Sequence, residues 1–464
     1  MKSSIRFVGG VGTVTGSRHQ VTVGSRRVLL DCGMFQGPEE VRQRNWRLPG
    51  ADPGDVDAVL LSHAHLDHSG LLPVLVRQGF SGPIHCTAAT ADLAAIVLRD
   101  AGHLQEEDAA RANRHGYSRH QPALPLYTLE EAEAVLPLFR PHPYGEPFEV
   151  VPGMSALFRR AGHILGSATI DLDLGTTGRL VFSGDLGRWD RPILKDPEPV
   201  PEADVLLVES TYGDRLHSAD SAAVLADLVS RAVDRGGAII VPAFAIGRTQ
   251  ELLWTLRQLE DAGRVPKLPV YLDSPMASAV TDIYCRHPED HDLDMELLMD
   301  EQRCPLCSHY YITTRLPVES KAINDVKGAC LIIAGSGMVN GGRVLHHLKE
   351  RLSDERTTVL LSGYQAVGTR GRLLQDGAEA LRIHGQDVRV RARIETITGL
   401  SAHADQSEIL RWLRGFRRAP RQTWIVHGEP AAAATLARVI SRDLGWRVDV
   451  ANEGIEADLE AGRS

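Results

Sequence analysis

The chain has 464 residues, 43% of them hydrophobic and 24% charged, with 51 Lys and Arg against 60 Asp and Glu for a net charge of −9. Those proportions exclude a disordered chain, no run reaches the ~20 apolar residues of a membrane-spanning helix, and six cysteines are too sparse for a disulfide framework. With no signal peptide at the N-terminus, the expectation is a cytoplasmic protein without a membrane partner, built from about two or three domains.

The first 60 residues read as a β-meander. Ile5–Gly9, His19–Val23 and Arg27–Asp31 are short apolar or β-branched runs between Gly-rich turns. Asp57–Ser62 is a continuous apolar run, hence a buried strand, and it ends directly at His63-Ala-His65-Leu-Asp67-His68. Helices are predicted over 90–112 and over Leu129–Leu138, the second opened by Thr128 with Glu131 at capping-box spacing. Strands return at 148–151, 155–159, 168–174, 179–183 and 204–209. From about 210 the texture becomes helix–strand alternation, which predicts a parallel sheet with helices on its faces, broken by an irregular polar stretch at 285–325. The last 70 or so residues revert to strand–loop–helix, so the simplest organisation is one domain interrupted by an inserted α/β domain: 1–208, then 209–390, then 391–464.

Nineteen histidines are present, and their placement carries the chemistry. Three imidazoles and a carboxylate within His63–His68 are ligands that Zn²⁺ favours. Alternating along a short loop, they suit two metals better than one: His63 and His65 for the first, Asp67 and His68 for the second. Each metal needs further ligands. Candidates in similarly abrupt strand-end positions are His163, in Gly162-His-Ile-Leu-Gly166; Asp185, in Ser183-Gly-Asp-Leu-Gly187; and His427, in Ile425-Val-His-Gly-Glu429.

HxHxDH followed by spaced His, Asp and His resembles the metallo-β-lactamase superfamily. Glu209-Ser-Thr-Tyr-Gly-Asp214, the inserted α/β block, Leu400-Ser-Ala-His403 and Val426-His427-Gly-Glu429 narrow the resemblance to the β-CASP nucleases. These include the endonuclease of eukaryotic pre-mRNA 3′-end cleavage, its archaeal relatives and, more distantly, RNase J. The resemblance spans nearly the whole chain. It implies an αββα sandwich interrupted by a β-CASP domain. It also implies two zinc ions per chain, the first held by His63, His65 and His163, the second by Asp67, His68 and His427, with Asp185 bridging. Asp31 matches the carboxylate that orients a ligand imidazole, and Glu209 and His403 match the two motifs that β-CASP members add. Histidine at 427 is similar to the RNA-directed branch.

The implied activity is hydrolysis of RNA, single-stranded, by a two-metal hydroxide mechanism that leaves 5′-phosphate and 3′-hydroxyl ends. His403 is then the general acid for the leaving 3′-oxygen, charged and oriented by Glu209. Endonucleolytic cutting is the first expectation, 5′→3′ exonucleolytic cutting the alternative, and a homodimer is compatible with either. A small-molecule hydrolase of the superfamily would lack the insert and the Glu209–His403 pair; a non-catalytic RNA scaffold would have lost ligands. Weaker substrate-binding candidates are Ser401, at a helix start, and Gly335, Ser336 and Gly337, in a Gly-rich turn after a strand. Arg389, Arg391 and Arg393 alternate as on one strand face, Arg411, Arg414, Arg417 and Arg418 read as a solvated helix face, and Cys304 with Cys307 resembles half a zinc knuckle.

Overall fold

The computed structural model describes residues 3–47, 52–116, 118, 120–217, 221–292, 306, 308–363, 365–397, 399 and 401–461. Cys304 and Cys307 lie outside the described residues. Two compact units are present: Met1–Leu216 with His403–Ser464, and His217–Ala402.

In the first unit, two seven-stranded sheets are built largely from the short apolar runs of the sequence. The strands Ser3–Gly9, Arg18–Val23 and Arg26–Leu30 pair antiparallel, and Arg26–Leu30 then pairs parallel with Ala58–Leu60. The second sheet places Arg179–Phe182, Val205–Val208, Gln422–Ile425 and Val448–Val450 side by side and parallel. Period-2 alternation with both faces covered explains why the central strand Val205–Val208 is apolar throughout. Leu180, Phe182, Val205 and Leu207 face the core shared with Ile5, Phe7, Val21 and Leu30. Val181, Leu206 and Val208 face the other way, against Ile409, Trp412, Leu436 and Ile440 of the helices Gln406–Leu413 and Pro430–Leu444. Truncating a side chain as deep as Phe182 to Ala would cost about 3–5 kcal/mol.

The second unit carries a six-stranded sheet in which every pairing is parallel, as the helix–strand alternation predicts. This compact unit runs from His217 to Ala402, and Arg393–Thr396 pairs with Thr358–Leu361 of its sheet. Within the stretch read as irregular, the structure forms the edge strand Tyr311–Thr313 and the helix Pro317–Ala322. Three residues and six are too short to show a period. The three alternating arginines do not share a strand: Arg389 ends the hairpin strand Gln386–Arg389, Arg391 lies outside any strand, and Arg393 opens the next. The helix expected over Leu129–Leu138 ends at Val135, Pro137 lying in a 3₁₀ turn; its capping box at Thr128 and Glu131 is formed.

Candidate metal centre

Every residue of the proposed ligand set follows or precedes a strand end of the first unit. The parallel pair Arg26–Leu30 and Ala58–Leu60 brings Asp31 beside Ser62 and His63. Asp185, Glu209 and His427 follow the carboxyl ends of three adjacent parallel strands, Arg179–Phe182, Val205–Val208 and Gln422–Ile425. Two positions need glycine. A Cβ on Gly184, at φ +56°, would stand 2.9 Å from Ser62 Cβ; one on Gly33 would stand 1.6 Å from the Asp67 carbonyl oxygen. That second approach is sealed by backbone bonds from Cys32 N–H to the His68 carbonyl and from Met34 N–H to the Leu66 carbonyl, at 2.7 and 2.8 Å.

Two ligand clusters result. In the first, His65 Nδ1 lies 3.1 Å from His63 Nε2 and 3.2 Å from His163 Nε2, and Asp185 Oδ2 lies 3.5 and 3.6 Å from those two Nε2 atoms. In the second, His68 Nε2 lies 3.2 Å from His427 Nε2, which is 3.7 Å from Asp67 Oδ2. Asp185 Oδ1 lies 3.3 Å from both the His68 and His427 rings. One carboxylate thus turns one oxygen to each cluster. Both Asp185 oxygens are buried without a hydrogen bond, an arrangement that costs several kcal/mol unless a cation takes the place of the missing donors. A tetrahedral ion with metal–nitrogen bonds of ~2.0–2.1 Å would hold its nitrogens about 3.3 Å apart, close to the imidazole spacings here. The donor set therefore fits two metal ions.

The surrounding groups fix the tautomers. His68 Nδ1 is 2.6 Å from Asp31 Oδ2, and Asp31 also accepts from Ser62 N–H at 2.8 Å, Ser62 Oγ at 3.0 Å and Ser17 Oγ at 3.1 Å. With its proton on Nδ1, His68 turns the Nε2 lone pair toward Asp185 and His427. Ser62 Oγ lies 3.1 Å from His63 Nδ1, and Thr211 Oγ1 lies 3.3 Å from His427 Nδ1. The sequence reading did not single out Ser17, Ser62 or Thr211; adjacency to His63 and to Glu209 was the available signal for the last two. Burial, with His68 adjacent, drives His63 well below its ordinary pKa, and burial drives His65 down to about 4. At His68 burial is outweighed by the Asp185 and Asp31 carboxylates, which raise it well above the ordinary value. Burial of Asp185 is overcome by His427, His68 and His403, which hold it well below the usual carboxylate range.

A third group stands beside these. His403 Nδ1 lies 3.3 Å from Glu209 Oε1 and 3.8 Å from Asp185 Oδ2. Glu209 is itself pinned, accepting from Leu186 N–H at 2.8 Å and Thr211 N–H at 3.0 Å. Burial works against charging His403, but Glu209 and Asp185 raise its pKa. Ser401 is buried in the second unit. The positions of the Gly-rich turn also lie in the second unit, at the carboxyl end of Cys330–Ala334, with Gly335 and Ser336 half-buried and Gly337 buried. There Ser336 Oγ accepts from Asn340 and Gly341 N–H at 3.0 and 3.3 Å, so it closes its own turn, and a Cβ on Gly337 would meet the Phe244 ring at 2.5 Å.

Comparison with known proteins agrees with this geometry. Family models match as a Beta-lactamase superfamily domain over 26–232, a Beta-Casp domain over 249–374 and a Zn-dependent metallo-hydrolase RNA specificity domain over 387–451. The chain is 39% identical over 435 residues to Ribonuclease TTHA0252 of Thermus thermophilus, covering 93% of this chain and 95% of that protein. It is 31% identical to an RNase J-like protein of Methanocaldococcus jannaschii, covering 95% and 96%. It is 30% identical to the transcription termination factor FttA of the same organism, covering 94% and 69%. A solved protein of unknown function from Enterococcus faecalis V583 shares the fold, with a TM-score of 0.54 at 12% identity over 99% of this chain and 100% of that one.

Proposed function

Because the chain belongs to the β-CASP family of metallo-β-lactamase-fold nucleases, metal-dependent hydrolases of RNA, we propose that it is a zinc-dependent endoribonuclease leaving 5′-phosphate and 3′-hydroxyl ends. The observation that carries this reading is Asp185, with one buried oxygen toward His63 and His163 and the other toward His68 and His427. His63, His65 and His163 would hold one zinc, Asp67, His68 and His427 the other, and Asp185 both. Bound zinc supplies Lewis acidity, bringing the pKa of water to about 7 and countering charge at phosphorus.

The residues do the rest. Asp31 keeps the His68 proton on Nδ1, so that Nε2 stays a donor of electrons. Glu209 takes the Nδ1 proton of His403 into a hydrogen bond, which makes Nε2–H the transferable proton for the leaving 3′-oxygen. Nothing in this set requires the 2′-hydroxyl, which is why a 5′-phosphate and a free 3′-hydroxyl are the expected ends. His63, His68 and Asp185 are almost fully buried, and an unpaired strand is the form whose phosphate can reach such a recessed floor. Ser401, Gly335, Ser336 and Gly337 remain substrate-binding candidates of the second unit, a homodimer the assembly to test by sedimentation, and the cytoplasm the compartment of choice. Among the described residues no helix is long and apolar enough to cross a membrane.

The test is circular RNA offered to zinc-loaded protein. Linear products carrying 5′-phosphates are expected. Intact circles beside 5′-labelled linear RNA degraded to mononucleotides would establish the exonucleolytic alternative, and no cutting of either would overturn the ribonuclease reading.

A further inference from the structure

The loop that leaves Asp185 is locally basic in a chain that is acidic overall. Residues 186–195 carry Arg188, Arg191 and Lys195 against Asp190 alone, and the facing segment 406–414 carries Arg411 and Arg414 against Glu408 alone. The two segments form one surface. Trp189 packs on the core that includes Ile409 and Trp412, the Arg411 guanidinium carbon lies 4.9 Å over the Trp189 ring, and Arg188 Nε pairs with Glu408 Oε1 at 3.2 Å. Burial, with Arg188 beside it, lowers Arg191 to about 10.

The loop is also built to keep one shape. Asp190 sits in the left-handed region at φ +55°, and its N–H donates to Asp196 Oδ1 at 2.8 Å. Arg411 is opposed only weakly, by Asp190 Oδ2 at 3.6 Å with that side chain 85% exposed. A rigid cationic surface with an aromatic base suits the backbone of an unpaired nucleic acid strand, because little has to be ordered on binding.

Its place fixes which part of the strand it meets. Ala404 N–H bonds the Leu186 carbonyl at 2.7 Å, and Leu186 N–H bonds Glu209, so the loop begins against the His403–Glu209 pair. In hydrolysis that leaves a 5′-phosphate, the departing 3′-oxygen belongs to the nucleotide upstream of the cut. We propose that Arg188, Arg191, Arg411 and Arg414 form a phosphate-binding track for RNA upstream of the scissile bond. This rests on the ribonuclease reading and on His403 serving the leaving oxygen. The track has work only when several nucleotides lie upstream, as in internal cutting; an enzyme removing single 5′-nucleotides would leave it idle.

The test uses full-length, zinc-loaded protein and its double variant Arg411→Glu/Arg414→Glu, both positions being exposed. Substrates are end-labelled RNAs with neutral methylphosphonate links placed only upstream or only downstream of a cleavage position mapped on all-phosphodiester RNA. For the wild type, upstream neutralisation should raise KM about tenfold or more, a few-fold for each lost contact of a charged strand. The variant, two contacts short, should show a rise of about tenfold on the unmodified RNA, with kcat within about twofold and a salt slope smaller by ~1.4, and its further response to upstream neutralisation, felt only through Arg188 and Arg191, should be smaller than the wild type's. It should stay sensitive to downstream neutralisation. A variant that loses its downstream sensitivity instead places the track on the other side and overturns the inference. So does a variant with wild-type KM and wild-type response to both substrates. If the wild type itself cuts no RNA, the proposed function fails first, and the track with it.

Discussion

Replacing Asp31 by Asn changes one atom and should unseat one metal. Asp31 Oδ1 accepts from Ser62 N–H at 2.8 Å, while Oδ2 takes His68 Nδ1 at 2.6 Å and the hydroxyls of Ser17 and Ser62. An amide keeps the backbone bond only with its oxygen at the first position, which puts NH₂ opposite His68 Nδ1. The serine hydroxyls can rotate to accept. The imidazole can accept only by moving its proton to Nε2, the atom that faces Asp185 and His427. The opposite amide orientation forfeits the Ser62 bond, worth about 1.5–3 kcal/mol to a charged acceptor. Either way a metal at Asp67, His68 and His427 should bind about 10–100-fold more weakly, or about 1.4–2.7 kcal/mol. The cluster of His63, His65 and His163 should keep its affinity. Competition with a chromophoric chelator, read as two binding steps, measures both. Two steps unchanged from wild type would refute the tautomer argument; loss of both, with a normal melting curve for the metal-free protein, would refute the separation into two clusters.

Metal analysis of carefully purified protein should return two zinc ions per chain, and Asp67→Ala should lose one of them together with most cleavage; a variant cutting at the wild-type rate would exclude the two-metal scheme. His403→Ala should keep both metals and slow RNA cleavage by about 10²–10⁴-fold, with a much smaller loss on bis(p-nitrophenyl) phosphate, whose leaving group needs no proton; equal losses would assign His403 to phosphate binding. His85 bonds His142 at 2.8 Å, and burial with His142 beside it lowers its pKa to about 4. The unfolded chain therefore takes up the proton first as pH falls below about 6.5, and up to about 3 kcal/mol of stability is lost between there and about 4. His85→Gln should flatten that limb of a denaturant-melting series, and an unchanged limb would rule His85 out as its source.

The ligand loop was legible because its chemistry is local: four donor-type residues within His63–His68 need no partner to be noticed. His163, Asp185 and His427 showed as polar residues at abrupt ends of apolar runs, and the family pattern ordered them. What supports them was less visible. Ser17 reaches Asp31 across a hairpin, and Thr211 reaches His427 across more than two hundred residues, through strand pairings that no local period encodes. The basic helix face looked like ordinary solvated surface, since sequence spacing cannot show that Trp189 lies beneath Arg411. Tyr311–Thr313 escaped notice because an edge strand of three residues owes its existence to its neighbour, Val270–Asp273.

The parallel pairing of Val205–Val208 with Gln422–Ile425 sets a timetable for biosynthesis. The earlier strand, buried along its whole length in the finished protein, leaves the ribosome more than two hundred residues before its partner. At ~5–20 residues per second that is a delay of roughly 10–40 s. During it the nascent chain exposes an unpaired, fully apolar sheet edge, the kind that pairs with whatever strand it meets. His427 arrives on the same late segment, so the proposed ligand set would close only after that edge has been capped. On the proposed ligand set, a nuclease assembled in this order should stay silent until that late segment has folded, and chaperone demand should peak in that interval.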